Sequence, residues 1–305
     1  MAVQTARIPI ADRLTGGWLD RETWLGYILL TPALLVLAIF LAYPFAYGIW
    51  LALTDAQIGA GPADFIGLAN FQYLITKDPI YITTIRNTFE YTFITIAFKF
   101  SLGLAMAAVL SLGFRFSRFL RAAMLLPYIV PTVLSTLAWL WMYDSTYSVF
   151  NWVLLHWFGV HGPNWLAQQP WPLISLMVVN IWRGTPFFGV LILAAMQTVP
   201  RDLHEAAAVD GAGTLRRWLF VTVPSIRPVL LITTLLSIVT TFSDFQIIWV
   251  LTRGGPANST HVLATYAFQT GVMGSDIGIG AAISLSMFPI LCITTGVVLW
   301  LLRKE

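Results

Sequence analysis

The sequence predicts an all-α integral membrane protein: six transmembrane helices, with a polar, cytosolic helical element between spans four and five. Three observations carry this. Of 305 residues, 58% are hydrophobic and only 10% are charged, whereas a soluble domain averages about 25% charged. The apolar residues fall into runs long enough to cross the hydrocarbon layer, which takes about 20 residues of helix. The basic residues gather on one side of the layout those runs define. The 13 Trp and 10 Tyr suit the two water–lipid interfaces. The single cysteine, Cys292, excludes an intramolecular disulfide and a cysteine metal cluster. Within an apolar run it reads as a small buried residue.

Residues 1–23 are polar, with Arg7, Arg13 and Arg21 offset by Asp12, Asp20 and Glu22. No A-x-A-like cleavage site follows, so no removable signal peptide is expected and the segment reads as a cytosolic tail. Trp24–Leu53 is uncharged and fits one long or kinked helix, with Pro44 near its outer end. Asp55–Ile85 is mixed and turn-rich. The second span is expected at 91–114, with Lys99 inside it, followed by a basic turn at Arg115, Arg118 and Arg121. The third, 122–143, is broken by Pro127 and Pro131, and 144–170 is an outer segment rich in Trp and Tyr. The fourth, 171–199, holds Arg183 and Pro186; the fifth, 228–252, holds Asp244; the sixth is 277–302, ahead of the terminal 303–305. The permease domain so defined is 24–302. Twelve Lys and Arg then lie in inner segments and three (Lys77, Arg86, Arg253) in outer ones. That asymmetry places both termini in the cytosol. Arg86 and Glu90, spaced i, i+4, are expected to form a local salt bridge.

The polar loop, 200–227, contains Glu205–Pro224, EAAAVDGAGTLRRWLFVTVP. Asp202 with Glu205 three residues on reads as an N-cap and its capping-box partner. Ala206, Ala207 and Ala208 favour helix, and Gly211 stops it. Thr214 is expected to cap a second short helix through Trp218, which Pro224 ends. Leu215, Trp218, Leu219 and Val221 are expected to hold the element to the membrane surface.

Enzyme signatures are missing from the sequence. It has no G-x-x-x-x-G-K-[ST], no H-E-x-x-H and no G-x-S-x-G. His156, His161, His204 and His261 are not at metal-ligand spacing. No catalysis, metal, cofactor or nucleic-acid partner is therefore expected, and if ATP drives the protein another chain hydrolyses it. Ionisable residues within spans are costly and usually face a bundle interior or cavity. Thr241 and Asp244 share a helix face, as do Asn180, Arg183, Gly184 and Phe187 on the fourth span. A cavity lined by them would suit a polyhydroxylated solute such as a sugar. Alternatively, Arg183 and Asp244 simply pair to join two helices. Lys99, with no evident partner, reads as structural or inter-subunit.

Glu205-Ala206-Ala207, three residues, Gly211, nine residues, then Val221-Thr222-Val223-Pro224 resembles the EAA loop of ABC importer permeases, with Val at two positions where that family has Ile and Leu. Phe65–Phe71, Asn87-Thr88 and Phe245–Pro256 resemble further phrases of its carbohydrate-uptake, MalF-like, binding-protein-dependent branch. The likeness runs from about Trp24 to the C-terminus. It implies a coupling helix seated on an ATPase through Glu205, Ala206, Ala207, Asp210 and Gly211. It implies substrate contacts on the spans before and after that loop: Asn180, Arg183, Gly184, Phe187, Thr241 and Asp244. It also implies a second, different permease subunit, two copies of an ATP-binding subunit, an extracytoplasmic solute-binding protein, surrounding membrane lipid, and a di- or oligosaccharide substrate. Glycerol phosphate or another polar solute is the rival within the class. An ion-coupled secondary transporter, relaying through Asp244, Arg183 or Lys99, would show internal repeats, and none is evident. A non-transporting scaffold would not need charges inside three spans.

Overall fold

The computed structural model describes residues 21–113 and 115–303. Residues 1–20 of the expected tail, Phe114 at the end of the expected second span, and Lys304 and Glu305 lie outside the described residues. The chain divides into two units, 1–50 and 51–305. In the first, α1 (Arg21–Leu37) passes through a π-helical turn, Ala38–Ala42, into α2 (Tyr43–Ala52). The turn has a local cause. Pro44 has no N–H and its ring clashes with the carbonyl four residues back; here the chain widens, and the Tyr43 N–H donates to Ala38 O instead.

The second unit is built around α4 (Pro79–Ser111), which packs along α8 (Trp171–Met196). Helix α4 starts at Pro79, not at Tyr91 as the composition led one to expect. The Asp78 carboxylate accepts from the N–H groups of Ile80 and Tyr81 at 2.9 and 3.1 Å, and Pro79 takes the first helical position. Polar Thr84, Asn87 and Thr88 made this stretch look extramembranous, yet they are buried against protein. Asn87 Nδ2 donates to the carbonyls of Ser259 and His261, and Asn70 Nδ2 to those of Ala52 and Thr54. Both Asn of the family-like phrases therefore pin loops. His261 is buried in the same cap, and burial lowers its imidazole to about 4.

The third apolar run is two helices, α5 (Ser117–Ile129) and α6 (Thr132–Met142), bent by 90°. Val130, ahead of Pro131, is extended as a pre-proline residue prefers. The outer segment contains an unexpected helix, α7 (Val149–Phe158). Trp165 Nε1 donates to Asn151 Oδ1 at 2.7 Å and packs with Tyr143 and Phe150. The fifth run is α12 (Arg227–Phe242) and α13 (Gln246–Leu251), with a break between them. Helices α3 (Ala69–Thr76), α14 (Leu263–Phe268) and α15 (Ile277–Leu302) complete the second unit's core with Leu74, Phe242, Leu263 and Ile283. Among the described residues five helices are long and apolar enough to cross a membrane, or six if the bent pair is one span. Arg86 Nε and Glu90 Oε1 form the expected ion pair at 2.6 Å. Cys292 is exposed on the apolar surface of α15 rather than buried.

Candidate functional site

Where α4, α8 and the break in the fifth run meet, the apolar interior gives way to one connected polar chain. Lys99 on α4 is only 3% exposed. Its Nζ donates to Asn180 Oδ1 on α8 and to Thr241 Oγ1 on α12, both at 2.8 Å. Asn180 Nδ2 donates to Asp244 Oδ2 at 2.9 Å, and the Tyr91 hydroxyl donates to the same oxygen at 2.7 Å. A lysine and a carboxylate on separate elements are thus joined through a single amide. Burying either ion alone would cost several kcal/mol.

Lys99, Asn180, Thr241 and Asp244 border a cavity of about 420 Å³. Asn180, Arg183, Gly184, Phe187, Thr241 and Asp244 all line it. Asp244 belongs to Ser243–Phe245, where the fifth run leaves helical geometry; irregular backbone at membrane depth is tolerated where it lines a cavity or is buried in protein. In the same lining the Tyr128 and Phe187 rings stack at 5.4 Å, and the Arg183 guanidinium carbon lies 5.9 Å from the Tyr128 centroid. Gly184 is explained by Lys99: a Cβ there would run into the lysine Cδ. The cavity therefore offers ammonium, guanidinium, amide, hydroxyl and carboxylate groups beside flat rings.

Two expectations are corrected. Arg183 and Asp244 do not form an ion pair, and Arg183 Nε is buried with no hydrogen-bond partner. Lys99 is not partnerless but central to the polar chain. Tyr91 joins the site without standing out by residue type. The available signal was spacing, since Tyr91, Thr95 and Lys99 at i, i+4 and i+8 form one polar stripe on α4.

The polar loop folds as α9 (Arg201–Val209), α10 (Thr214–Arg217), a π-helical turn at Trp218–Thr222 and α11 (Val223–Ser225). Gly211 ends α9 as expected, at φ +79°. The Ala212 N–H donates to Ala207 O and the Gly211 N–H to Ala208 O, a Schellman closure. The caps differ from expectation. Pro200 is the N-cap of α9, so Asp202 lies within its first turn with no capping bond; Gly213, not Thr214, precedes α10. Nor does Pro224 end the second helix: as at Pro44, a π-helical turn lets the chain pass, with the Val223 N–H donating to Trp218 O. Glu205, Ala206, Asp210 and Gly211 are exposed and Ala207 is half-buried. Leu215 and Leu219, expected to hold the element down, are exposed, as are Leu203, Val209 and Phe220. No cluster of metal-ligating side chains occurs among the described residues.

The family model described as binding-protein-dependent transport system inner membrane component matches residues 99–305. The trehalose/maltose transport system permease protein MalF of Thermococcus litoralis is 34% identical over 277 residues, covering 91% of this chain and 93% of that protein. The sulfoquinovosyl glycerol transport system permease protein SmoG of Agrobacterium fabrum is 33% identical over 290 residues, covering 94% of each. Among solved structures, a bacterial ABC transporter involved in the import of the acidic polysaccharide alginate shares the fold, with a TM-score of 0.80 at 22% identity over 94% of this chain and 98% of that chain. The chain belongs to the family of binding-protein-dependent transport system inner membrane components, and is a non-catalytic, multi-pass permease subunit of an ABC importer.

Proposed function

We propose that this chain forms half of the translocation pathway of an ATP-driven importer for a sugar, a di- or oligosaccharide. One observation carries it: the six residues picked from two separate sequence stretches line a single cavity at the meeting of α8 and the fifth run. Sugars are held by paired hydrogen bonds to polar side chains and by stacking on flat rings, and both are present on its walls. The relatives point the same way, being permeases of trehalose/maltose and sulfoquinovosyl glycerol systems.

In this reading 24–302 is the permease domain, crossing six times, with α5 and α6 together as the third span. The tail 1–23 and the terminus 303–305 are cytosolic. The loop 200–227 is the coupling element, its exposed Glu205, Asp210, Leu203 and Val209 seated in an ATPase subunit. A second, different permease completes the pathway, two ATPase copies power it, and an extracytoplasmic binding protein delivers the solute. ATP-driven closure pushes α9, and the push reaches the cavity through α8 on one side and α12 on the other, both continuous with the loop. A conformational cycle needs contacts that differ between its states. The hydrogen-bonded chain from Lys99 to Asp244 crosses three elements and supplies them.

The test is co-purification of the solubilised chain with its ATPase, followed by measurement of ATP hydrolysis and sugar uptake. The expected result is a stable complex whose hydrolysis is uncoupled from uptake by Glu205→Ala with Gly211→Pro, and whose uptake falls with Asp244→Ala. A chain that transports without any ATPase would overturn the proposal.

A further inference from the structure

We infer that the cavity selects a sugar carrying an oxyanion, and that Arg183 is the residue that selects it; this rests on the sugar-importer reading above. The charges on its walls are not equivalent. Lys99 and Asp244 are the two ends of one chain through Asn180, so their charges answer each other. Tyr91 and Thr241 fill further positions on the same two ions. Arg183 stands outside that chain. Its Nε is buried without a partner, and among the described residues no carboxylate lies within ion-pair distance of it.

An arginine keeps its charge, and a cation inside a membrane is costly and characteristically functional; Asp244, the carboxylate within its electrostatic reach, already answers Lys99 through Asn180. The guanidinium is also held in place. Its carbon lies 5.9 Å from the Tyr128 centroid, and Phe187 stacks on the same ring. A planar fork so placed matches the two oxygens of a carboxylate, sulfonate or phosphate, and the match is bidentate. The neutral part of the sugar keeps Asn180 and Thr241.

The experiment uses the assembled importer in lipid nanodiscs. Four neutral disaccharides (maltose, trehalose, cellobiose and galactobiose) are each titrated beside their uronate and 6-phosphate forms. Calorimetry on wild type, Arg183→Met and Arg183→Lys gives the affinities. At least one acidic form is expected to bind tenfold or more tightly than its neutral parent, and the uronate and phosphate arms identify which oxyanion fits. Arg183→Met should weaken binding of the acidic form at least tenfold more than that of its neutral parent, erasing the preference, and Arg183→Lys should keep part of it. Equal or tighter binding of the neutral parents overturns the oxyanion and leaves the sugar reading standing. Failure of every disaccharide to bind overturns both. If Arg183→Met splits the two permeases on size-exclusion chromatography while Arg183→Lys does not, the counter-charge belongs to the second permease and the inference fails.

Discussion

Asn180 is the joint of the polar interior, because one amide serves a cation through its oxygen and a carboxylate through its nitrogen. Asn180→Leu strands both ions, and breaking a buried pair costs about 3–5 kcal/mol. The variant should unfold at clearly lower temperature in detergent. Adding Lys99→Met to it should cost less than the sum of the two single changes, since the second removes an ion the first had already stranded. Strict additivity in that cycle would sink the network. A second residue-scale outcome concerns His261. Its imidazole titrates near 6.5 when unfolded and about 4 in the folded cap. Between those values the unfolded chain binds a proton that the folded one refuses, so stability falls as pH drops from 6.5 toward 4 and levels off below. Thermal midpoints over that range should show the slope, and His261→Gln should flatten it. Much of the site at this scale could be picked from residue types alone: a carboxylate and a guanidinium in apolar runs are conspicuous. Lys99 and Tyr91 were harder, because what makes them matter is the crossing of α4 with two elements far away in sequence.

At the scale of elements, α9 is a short helix whose end depends on one backbone angle. Gly211 sits at φ +79° and closes the Schellman turn. An L-residue there costs about 1–2 kcal/mol, so Gly211→Ala should fray α9 without disturbing the spans. The expected readout is ATP hydrolysis that no longer responds to loaded binding protein, with the thermal midpoint nearly unchanged; normal stimulation would argue against α9 as the coupling element. The element boundaries show what a sequence can hide. Proline is a strong stop on paper, yet Pro44 and Pro224 are both bypassed by a π-helical turn that moves the hydrogen bond one residue back. Polar residues read as loop, yet Thr84, Asn87 and Thr88 lie in α4, because a membrane protein's own interior is a second polar-tolerant environment. Runs whose buried residues are all apolar, such as Ile277–Leu302, match the apolar pattern directly.

At the scale of the molecule, twelve of seventeen basic residues fall in the segments assigned inside. With the N-terminus so placed, green fluorescent protein fused after Arg303 should fluoresce, and a thiol introduced at Arg216 should react only after the membrane is made permeable. A fusion after Tyr147 should stay dark. The opposite pattern would invert the topology and remove α9 from the ATPase side.

The broken fifth run also bears on how the protein is made. A carboxylate at the centre of a helix adds about 2.5–3.5 kcal/mol to its insertion into a bilayer, and Asp244 sits in the break between α12 and α13. Its partners Tyr91 and Asn180, and Lys99 beyond them, leave the ribosome earlier, on α4 and α8. By the time the fifth run emerges, the groups that neutralise it are already in the membrane. Chain order is therefore assembly order here: the first four spans act as the receptor for the fifth, and a fragment beginning at Arg201 should be left stranded at the membrane surface.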